Sequence, residues 1–155
     1  MQTIEHIKHL FEYDDWANRR TISALEVGPS VRSKRILAHL LITKQEYFER
    51  LSGKDSTGFD FWLDMTLEGS AWLVRSTHAN YSRLLEGADD SILEQVARYK
   101  TSEGVPHENT YRELLTHVLL HSAIHRGNIV LKMREEGYEP PKIDYIIYLR
   151  ETKGG

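Results

Sequence analysis

The sequence contains no cysteine among its 155 residues. That absence excludes disulfides, zinc sites with thiolate ligands and a cysteine nucleophile supplied by the protein. No stretch approaches the roughly 18 apolar residues that a membrane-spanning helix requires. The first 20 residues also lack the apolar core of a signal peptide. We therefore expect a cytoplasmic protein that does not enter the membrane.

Positive charge is scarce as well. The chain has 20 Lys and Arg residues against 23 Asp and Glu, so its formal net charge is −3 at pH 7. Nucleic-acid-binding proteins usually carry a basic stripe, and no nucleic-acid partner is predicted. The basic cluster Arg32, Lys34 and Arg35 lies at the start of a predicted helix, where we expect a solvated face. Walker A, G-x-G-x-x-G and G-x-S-x-G motifs are absent, so nucleotide folds and nucleophile-elbow hydrolases lack support.

Only four prolines interrupt the chain, and long amphipathic segments lie between its turn signals. We predict helices over about residues 3–26, 30–51, 66–85 and 110–136, with a loop carrying an aromatic plug at 53–64. Val96 and Tyr99, followed by "SEG", predict a short hairpin before the last long helix, and "DYIIYLRE" predicts a short C-terminal helical cap. The fold class is therefore all-α: one domain over residues 1–155, in which three or four long helices form an antiparallel bundle.

Three histidines recur at every fourth position of the last long helix, from residue 117 to 125. An α-helix turns about 100° per residue, so a helical wheel with Tyr111 at zero places His125 at about 320°, within the apolar stripe. His121 lies at about 280°, at the shoulder of the stripe, and His117 lies at about 240°, closer to the polar side. The inward pair is therefore His121 and His125. An i, i+4 pair of this kind can direct both imidazoles at one metal ion.

Two imidazoles alone hold an ion poorly, so a third ligand must come from another helix. His39 is the best candidate, because it lies in mid-helix among apolar residues and has Thr43 and Glu46 along the same face. The remaining histidines are weaker candidates, because they lie near a chain end, on the third helix or in the predicted loop: His6, His9, His78 and His107.

A bundle whose histidines merely pack is the alternative, since a buried histidine is usually satisfied by one hydrogen bond. Two inward rings one turn apart both need partners, however, and an unpaired buried polar group costs about 1–3 kcal/mol. A shared metal satisfies both. Ser122 stands where H-E-x-x-H proteases carry the catalytic Glu, which disfavours a zincin, and the last long helix lacks the Glu-x-x-His pairs of di-iron bundles.

Other polar and aromatic residues receive structural roles. His117 is predicted on the helix surface or behind a metal-bound ring. Arg126 projects about 100° away from His125, and we expect it in a salt bridge at the bundle surface or a dimer seam. Tyr13, Trp16 and Trp62 are expected to pack in the core or at dimer contacts, and lining an access cleft is the alternative.

Four segments, in order, carry a resemblance to a known family. They are "YDDWANRR" at 13–20, "ILAHLLITKQEYFERLSG" at 36–53, "LLTHVLLHSAIHRGNI" at 114–129 and "GYEPPKIDYIIYLRE" at 137–151. Together they resemble the DinB branch of the DinB/YfiT-like metalloenzyme superfamily, whose name covers damage-inducible bundle proteins. Two positions depart from the family pattern: Ile124 replaces a frequent His, and Asn128 replaces Gln.

The resemblance implies an up-down four-helix bundle, commonly a homodimer, that binds a divalent metal through three histidines. Carried over position by position, these are His39, His121 and His125. Three neutral imidazoles with an open position are typical of catalytic metal sites, and zinc or nickel is favoured. Glu46 and Asn128 are candidates to hydrogen-bond and orient the rings. No catalytic residue is assigned.

The wider superfamily includes transferases and isomerases that use low-molecular-weight thiols such as bacillithiol or mycothiol. The expected function is therefore a metal-dependent enzyme, either a hydrolase or a thiol-dependent S-transferase that borrows such a thiol. A non-catalytic metal-binding or stress-associated bundle protein is the second function to be weighed.

Overall fold

A computed structural model describes residues 3–153 and is mostly helical with one two-stranded hairpin. The elements are α1 (Thr3–Leu25), α2 (Val31–Leu51), α3 (Leu67–Leu85), a short 3₁₀ helix (Asp90–Glu94), β1 (Val96–Lys100), β2 (Pro106–Thr110), α4 (Tyr111–Glu135) and α5 (Tyr145–Thr152). The predicted hairpin and C-terminal helical cap are confirmed, and the long helices end close to their predicted bounds. In the described part of the chain, no helix is long and apolar enough to cross a membrane.

A side-chain cap explains where α4 begins, and a glycine follows its end. The Thr110 hydroxyl accepts from the backbone N–H of Glu113 at 3.2 Å, and the Glu113 carboxylate accepts from the Thr110 N–H at 2.9 Å. This capping box satisfies two backbone donors that would otherwise lack partners. Gly137 follows the helix with a φ of +83°, a left-handed conformation that glycine adopts without strain. The hairpin strands pair antiparallel, with Val96 opposite Thr110, the residue that precedes α4.

Two apolar cores show the directions of the long helices. One core combines the first halves of α1 and α4 with the second halves of α2 and α3, as in Phe11, Leu115, Leu51 and Tyr81. The other core combines the opposite halves, as in Leu25, Met133, Leu37 and Val74. It follows that α1 runs parallel to α4, that α2 runs parallel to α3, and that the two pairs are antiparallel to each other.

This arrangement corrects the predicted alternation of direction, because α2 and α3 are successive yet parallel. The segment between them, 52–66, runs back along the helices: the Ser56 N–H donates to Lys100 O, the Phe61 carbonyl reaches His39, and Met65 packs in the core at the start of α2. An extended chain of that length spans about 50 Å, whereas α2 is about 30 Å long. The aromatic plug is therefore a crossover connection. Its apolar side chains are buried better against the helices than they would be in a short exposed turn.

A layer of buried charged and polar groups separates the two cores. The Asp14 carboxylate accepts from Arg126 Nη1 at 2.5 Å and from Lys44 Nζ at 2.7 Å, and Asn18 Oδ1 accepts from the same guanidinium at 2.9 Å. All four residues are at most 1% exposed. Burial alone would raise the pKa of Asp14, but the Lys44 and Arg126 cations together lower it. This layer joins α1 to both α2 and α4.

Arg126 forms the predicted salt bridge, but the structure contradicts the predicted place at the surface or a dimer seam. The helical wheel puts Arg126 at about 60°, beside Leu115 at about 40°, and so within the apolar face. A surface position was expected because arginine is charged, although the azimuth of Arg126 on the helix indicates the apolar face. Burial is tolerated because Asp14 and Asn18 supply acceptors, and a buried charge needs such partners.

We predict that Asp14→Ala lowers the free energy of unfolding by about 3–5 kcal/mol, because it leaves two buried cations without their anion. Glu108→Ala, which removes the exposed partner of Arg98 in the hairpin, is the matched control and costs less than about 1 kcal/mol. Chemical denaturation measures both. Similar losses for the two variants would contradict the structural role assigned to Asp14.

Candidate metal centre

Three imidazoles from two helices converge in the groove between α2 and α4. His39 comes from α2, and His121 and His125 come from α4, and each offers a nitrogen within 4.8 Å of the other two. Ring centroids are 5.1 Å apart for His39 and His121, 4.7 Å for His39 and His125, and 4.5 Å for His121 and His125. Nitrogens that share an ion at about 2.0–2.1 Å are at most about 4 Å apart. Small side-chain rotations would therefore bring the three rings onto one ion.

The crossover loop fixes the orientation of His39. The Nδ1–H of this ring donates to the Phe61 carbonyl at 2.8 Å. A carbonyl only accepts, so Nδ1 carries the proton and the Nε2 lone pair of the neutral ring stays free for an ion. The Trp62 ring stacks on the imidazole, with ring centroids 3.7 Å apart and planes within 4°. The residue is 7% exposed, so few alternative orientations are open to its ring.

Burial keeps all three rings uncharged near neutral pH. It lowers the pKa of His121 to about 3, and repulsion from protonated His125, His39 and His117 acts in the same direction. Burial also lowers the pKa of His125 and of His39, although the hydrogen bond to the Phe61 carbonyl opposes the shift at His39. A neutral imidazole is the form that binds a metal ion. The site is thus ready to bind an ion without first losing protons.

One buried ring nitrogen is left without a partner. Nδ1 of His125 is buried and forms no hydrogen bond within residues 3–153. An unsatisfied buried polar atom costs about 1–3 kcal/mol, and such atoms in native structures usually have an ion, a water or a functional role to account for them. Together with the free Nε2 of His39, this atom fits a metal site better than histidines that merely pack.

The groove widens into a cavity on either side of the rings. The larger cavity, of about 1040 Å³, lies toward the start of α2 and the end of α4, and its walls include His125, Trp62 and Asn128. Arg32 and Arg35 of the basic cluster also line it. The smaller cavity, of about 200 Å³, lies toward the end of α2, and its walls include His39 and His121. Small molecules can thus approach the rings from both directions.

The two residues proposed to orient the rings make other contacts. Glu46 is fully buried, accepts from the Ser56 hydroxyl at 2.8 Å and lies 3.8 Å from Lys54 Nζ. Asn128 is exposed on the wall of the larger cavity. In the described part of the chain, neither side chain hydrogen-bonds to any of the three rings. At His39 the Phe61 carbonyl takes this role. Every residue has a backbone carbonyl, so the residue types in the sequence cannot predict which carbonyl accepts from His39. The predicted aromatic plug at 53–64 is the only related signal.

His117 borders the three-ring group without belonging to it, whereas His9 and His78 make contacts elsewhere. His117 is exposed, and its ring centroid lies 4.8 Å from that of Tyr47 and 5.6 Å from that of His121. His9 hydrogen-bonds to the Tyr145 hydroxyl at 2.9 Å, and His78 lies 3.7 Å from the Glu12 carboxylate.

The three aromatic residues lie at different places. Tyr13 and Trp16 are half-buried and pack against Tyr148 of α5, outside the two apolar cores. Trp62 is 43% exposed and lines the larger cavity, which was the alternative.

Comparisons with known proteins agree with the resemblance drawn from the sequence. Residues 25–154 match the family model described as DinB family. Protein DinB of Bacillus subtilis (strain 168) is 28% identical over 174 aligned positions, which cover 93% of this chain and 94% of that protein. No solved structure matches the chain. The range matched by the family model includes all three clustered histidines but not the "YDDWANRR" segment.

We predict that the metal-free protein loses stability as the pH falls from about 6.5 toward 4.5. In this range unfolded His121 binds a proton, whereas the folded ring, with its pKa at about 3, does not, so the unfolded state gains free energy from protonation. The loss is at most about 1.4 kcal/mol per pH unit for one ring, and solvent screening reduces it.

Denaturation at several pH values measures this slope. His121→Gln should flatten it, whereas His6→Gln, which changes an exposed histidine of α1, should leave it as in the wild type. Equal slopes in the wild type and His121→Gln would contradict the assigned effect of burial.

Proposed function

The chain belongs to the DinB family, and on that premise we propose that it is a metal-dependent enzyme in which His39, His121 and His125 bind one divalent ion. The observation that carries the proposal is the meeting of three neutral rings from α2 and α4. A bound divalent ion lowers the pKa of a coordinated water or thiol, or polarises a substrate oxygen. Zinc and nickel are the favoured ions, because imidazole suits both.

The surroundings of the rings support a small-molecule substrate. The larger cavity, about 1040 Å³, is at the upper end of the range for small-molecule sites, and its walls combine apolar and charged side chains. Trp62 covers one face of the His39 ring and limits the access of water to it. We propose hydrolysis or thiol transfer as the reaction class. A thiol would come from a low-molecular-weight cofactor, since the chain has no cysteine.

The scaffold we propose is one cytoplasmic four-helix-bundle domain over residues 1–155. It is supported by the contacts of α1 and of α2 with both α3 and α4. Its parallel α2 and α3 require the crossover that carries Phe61 and Trp62. Glu46 and Asn128 keep a proposed supporting role: Asn128 lines the larger cavity, and Glu46 holds Ser56, which accepts from Arg50 in the wall of the smaller one.

A non-catalytic metal-binding or stress-associated protein is the second candidate. It is favoured by one observation: no carboxylate hydrogen-bonds to the three rings within residues 3–153, so an acid–base partner of that kind is missing beside them. Turnover of thiol or ester substrates that disappears in His39→Ala would support the enzyme. Stoichiometric metal without turnover on such panels would support the second candidate.

We predict about one zinc or nickel ion per chain in protein purified without a His tag or added metal. His39→Ala, His121→Ala and His125→Ala should each reduce the content below about 0.1 ion, because two imidazoles hold an ion weakly. His107→Ala, in the exposed strand β2, is the control and should keep the full content. Elemental analysis provides the measurement. Metal that survives in all three ligand variants would refute this site.

We also propose a homodimer that forms through the outer face of α4. Leu120, Ile124 and Leu131 are 60%, 65% and 56% exposed and lie on one stripe of the helix, because their spacings of four and seven match its turns. A contiguous apolar patch on a soluble protein usually marks an interaction site. The same face contains Gly127, which leaves room for a close approach of a second helix.

Sedimentation should therefore give about twice the chain mass of 18.0 kDa for the wild type and a single chain mass for Ile124→Lys, because a buried unpaired charge disfavours the interface. Ile146→Lys changes an exposed apolar residue of α5 and should leave the dimer intact. A monomeric wild type, or a dimeric Ile124→Lys variant, would speak against this interface.

A further inference from the structure

Arg50 is a buried cation held rigidly near the end of α2. Its side chain is enclosed by three aromatic rings, and the guanidinium carbon lies 4.7 Å from the ring centroid of Tyr47, 5.3 Å from that of Phe61 and 4.8 Å from that of Tyr99. Its Nε donates to the Ser56 hydroxyl at 2.8 Å. The residue is only 5% exposed. These contacts fix the guanidinium but do not neutralise its charge.

No carboxylate forms an ion pair with Arg50 among the residues that the structure describes. Glu46 reaches it only through the Ser56 hydroxyl, which both side chains share. Burial raises the pKa of Glu46, and neighbouring Glu49 raises it further, so its negative charge is disfavoured. Buried charges in proteins are nearly always paired. Arg50 is therefore a buried cation that lacks its anion.

Arg50 lines a cavity and retains donors that are not used within the described part of the protein. Its two terminal amino groups donate no hydrogen bond within residues 3–153, and the side chain lines the cavity of about 200 Å³ beside His39 and His121. Tyr47 and His117 complete the polar part of the wall. A guanidinium presents its donors as a planar fork that matches a carboxylate or phosphate group. The wall of this cavity thus combines a guanidinium with two of the clustered histidines.

We infer that Arg50 binds the carboxylate or phosphate group of a small ligand in this cavity, with the rest of the ligand directed toward His39 and His121. As an assignment of substrate class the inference rests on the proposed function, whereas anion binding by Arg50 is a property of the metal-free protein. The substrate is accordingly a small anion, and Arg50 positions it by its charged end. The aromatic enclosure keeps the fork in place before the ligand arrives, which reduces the ordering cost of binding.

The metal-free wild-type protein tests the anion site first. Calorimetric titration with inorganic phosphate and with acetate, in chloride buffer, should show saturable binding of at least one of them. The two probes distinguish a phosphate ligand from a carboxylate ligand. Arg50→Met should weaken that binding by about tenfold or more, whereas Arg75→Met, which removes an exposed arginine of α3, should not change it. Absence of binding in the wild type, or equal binding in Arg50→Met, would overturn the inference.

A measurement on the wild type covers the case in which Arg50→Met does not fold. Crystals grown without sulfate or phosphate can be soaked in selenate, whose selenium gives an anomalous signal. The expected result is an anomalous peak within hydrogen-bonding reach of the Arg50 amino groups. Peaks confined to exposed lysines and arginines would overturn the inference without any reference to metal binding.

The substrate assignment is tested with the cobalt-loaded protein and two thiols of equal length. The absorption of the cobalt–thiolate bond reports binding of 3-mercaptopropionate and of the neutral 3-mercapto-1-propanol. The carboxylate compound should bind about tenfold more tightly, and Arg50→Met should remove this advantage while leaving the neutral thiol unaffected. Equal binding of both thiols by the wild type would overturn the substrate assignment but not the metal site. Failure to bind cobalt would overturn the proposed function, while the phosphate titration decides the anion site.

Discussion

The relative position of α2 and α4 decides whether the three imidazoles can meet, and one buried carboxylate is bonded to both helices. Asp14 of α1 binds Lys44, which follows His39 along α2, and Arg126, the residue after His125 on α4. Each bond joins two charges that are almost fully buried, so loss of either leaves an uncompensated charge in the core. The ion-pair layer therefore fixes the two helices that carry the rings.

The ion-pair layer positions the two helices, and the crossover between α2 and α3 orients the ring of His39 on one of them. Because α2 and α3 run parallel, the connecting chain must travel along the helices, and it passes beside the rings. Its Phe61 carbonyl selects the tautomer of His39, and its Trp62 ring covers that imidazole. The Phe61 side chain also contacts the Arg50 guanidinium. A single loop thus contacts both the candidate metal centre and the proposed anion site.

Helical periodicity and turn signals were sufficient to predict the long helices, the hairpin and the cap, because those features are written in local sequence. The inward pair His121 and His125 follows from azimuth on α4, whereas His39 follows from its mid-helix position among apolar residues and from the family resemblance. The direction of α3 could not be predicted from the sequence, because an aromatic-rich loop can either form a tight turn or cross over to the other end of the bundle. The buried position of Arg126 follows from its azimuth on α4, whereas its partners Asp14 and Asn18 are distant in sequence and cannot be inferred from that azimuth. The part played by Phe61 is a backbone contact and has no residue-type signal.

The most direct test of the account is X-ray absorption at the edge of the bound metal in the wild-type protein. The account predicts three imidazole nitrogens at about 2.0–2.1 Å, recognisable by the multiple scattering of their rings, and a further light ligand at the open position. Loss of one imidazole in His39→Ala would assign a ring of α2 to the ion. A coordination shell of carboxylate or water oxygens with fewer than three imidazoles would contradict the central claim that rings from two helices bind one ion.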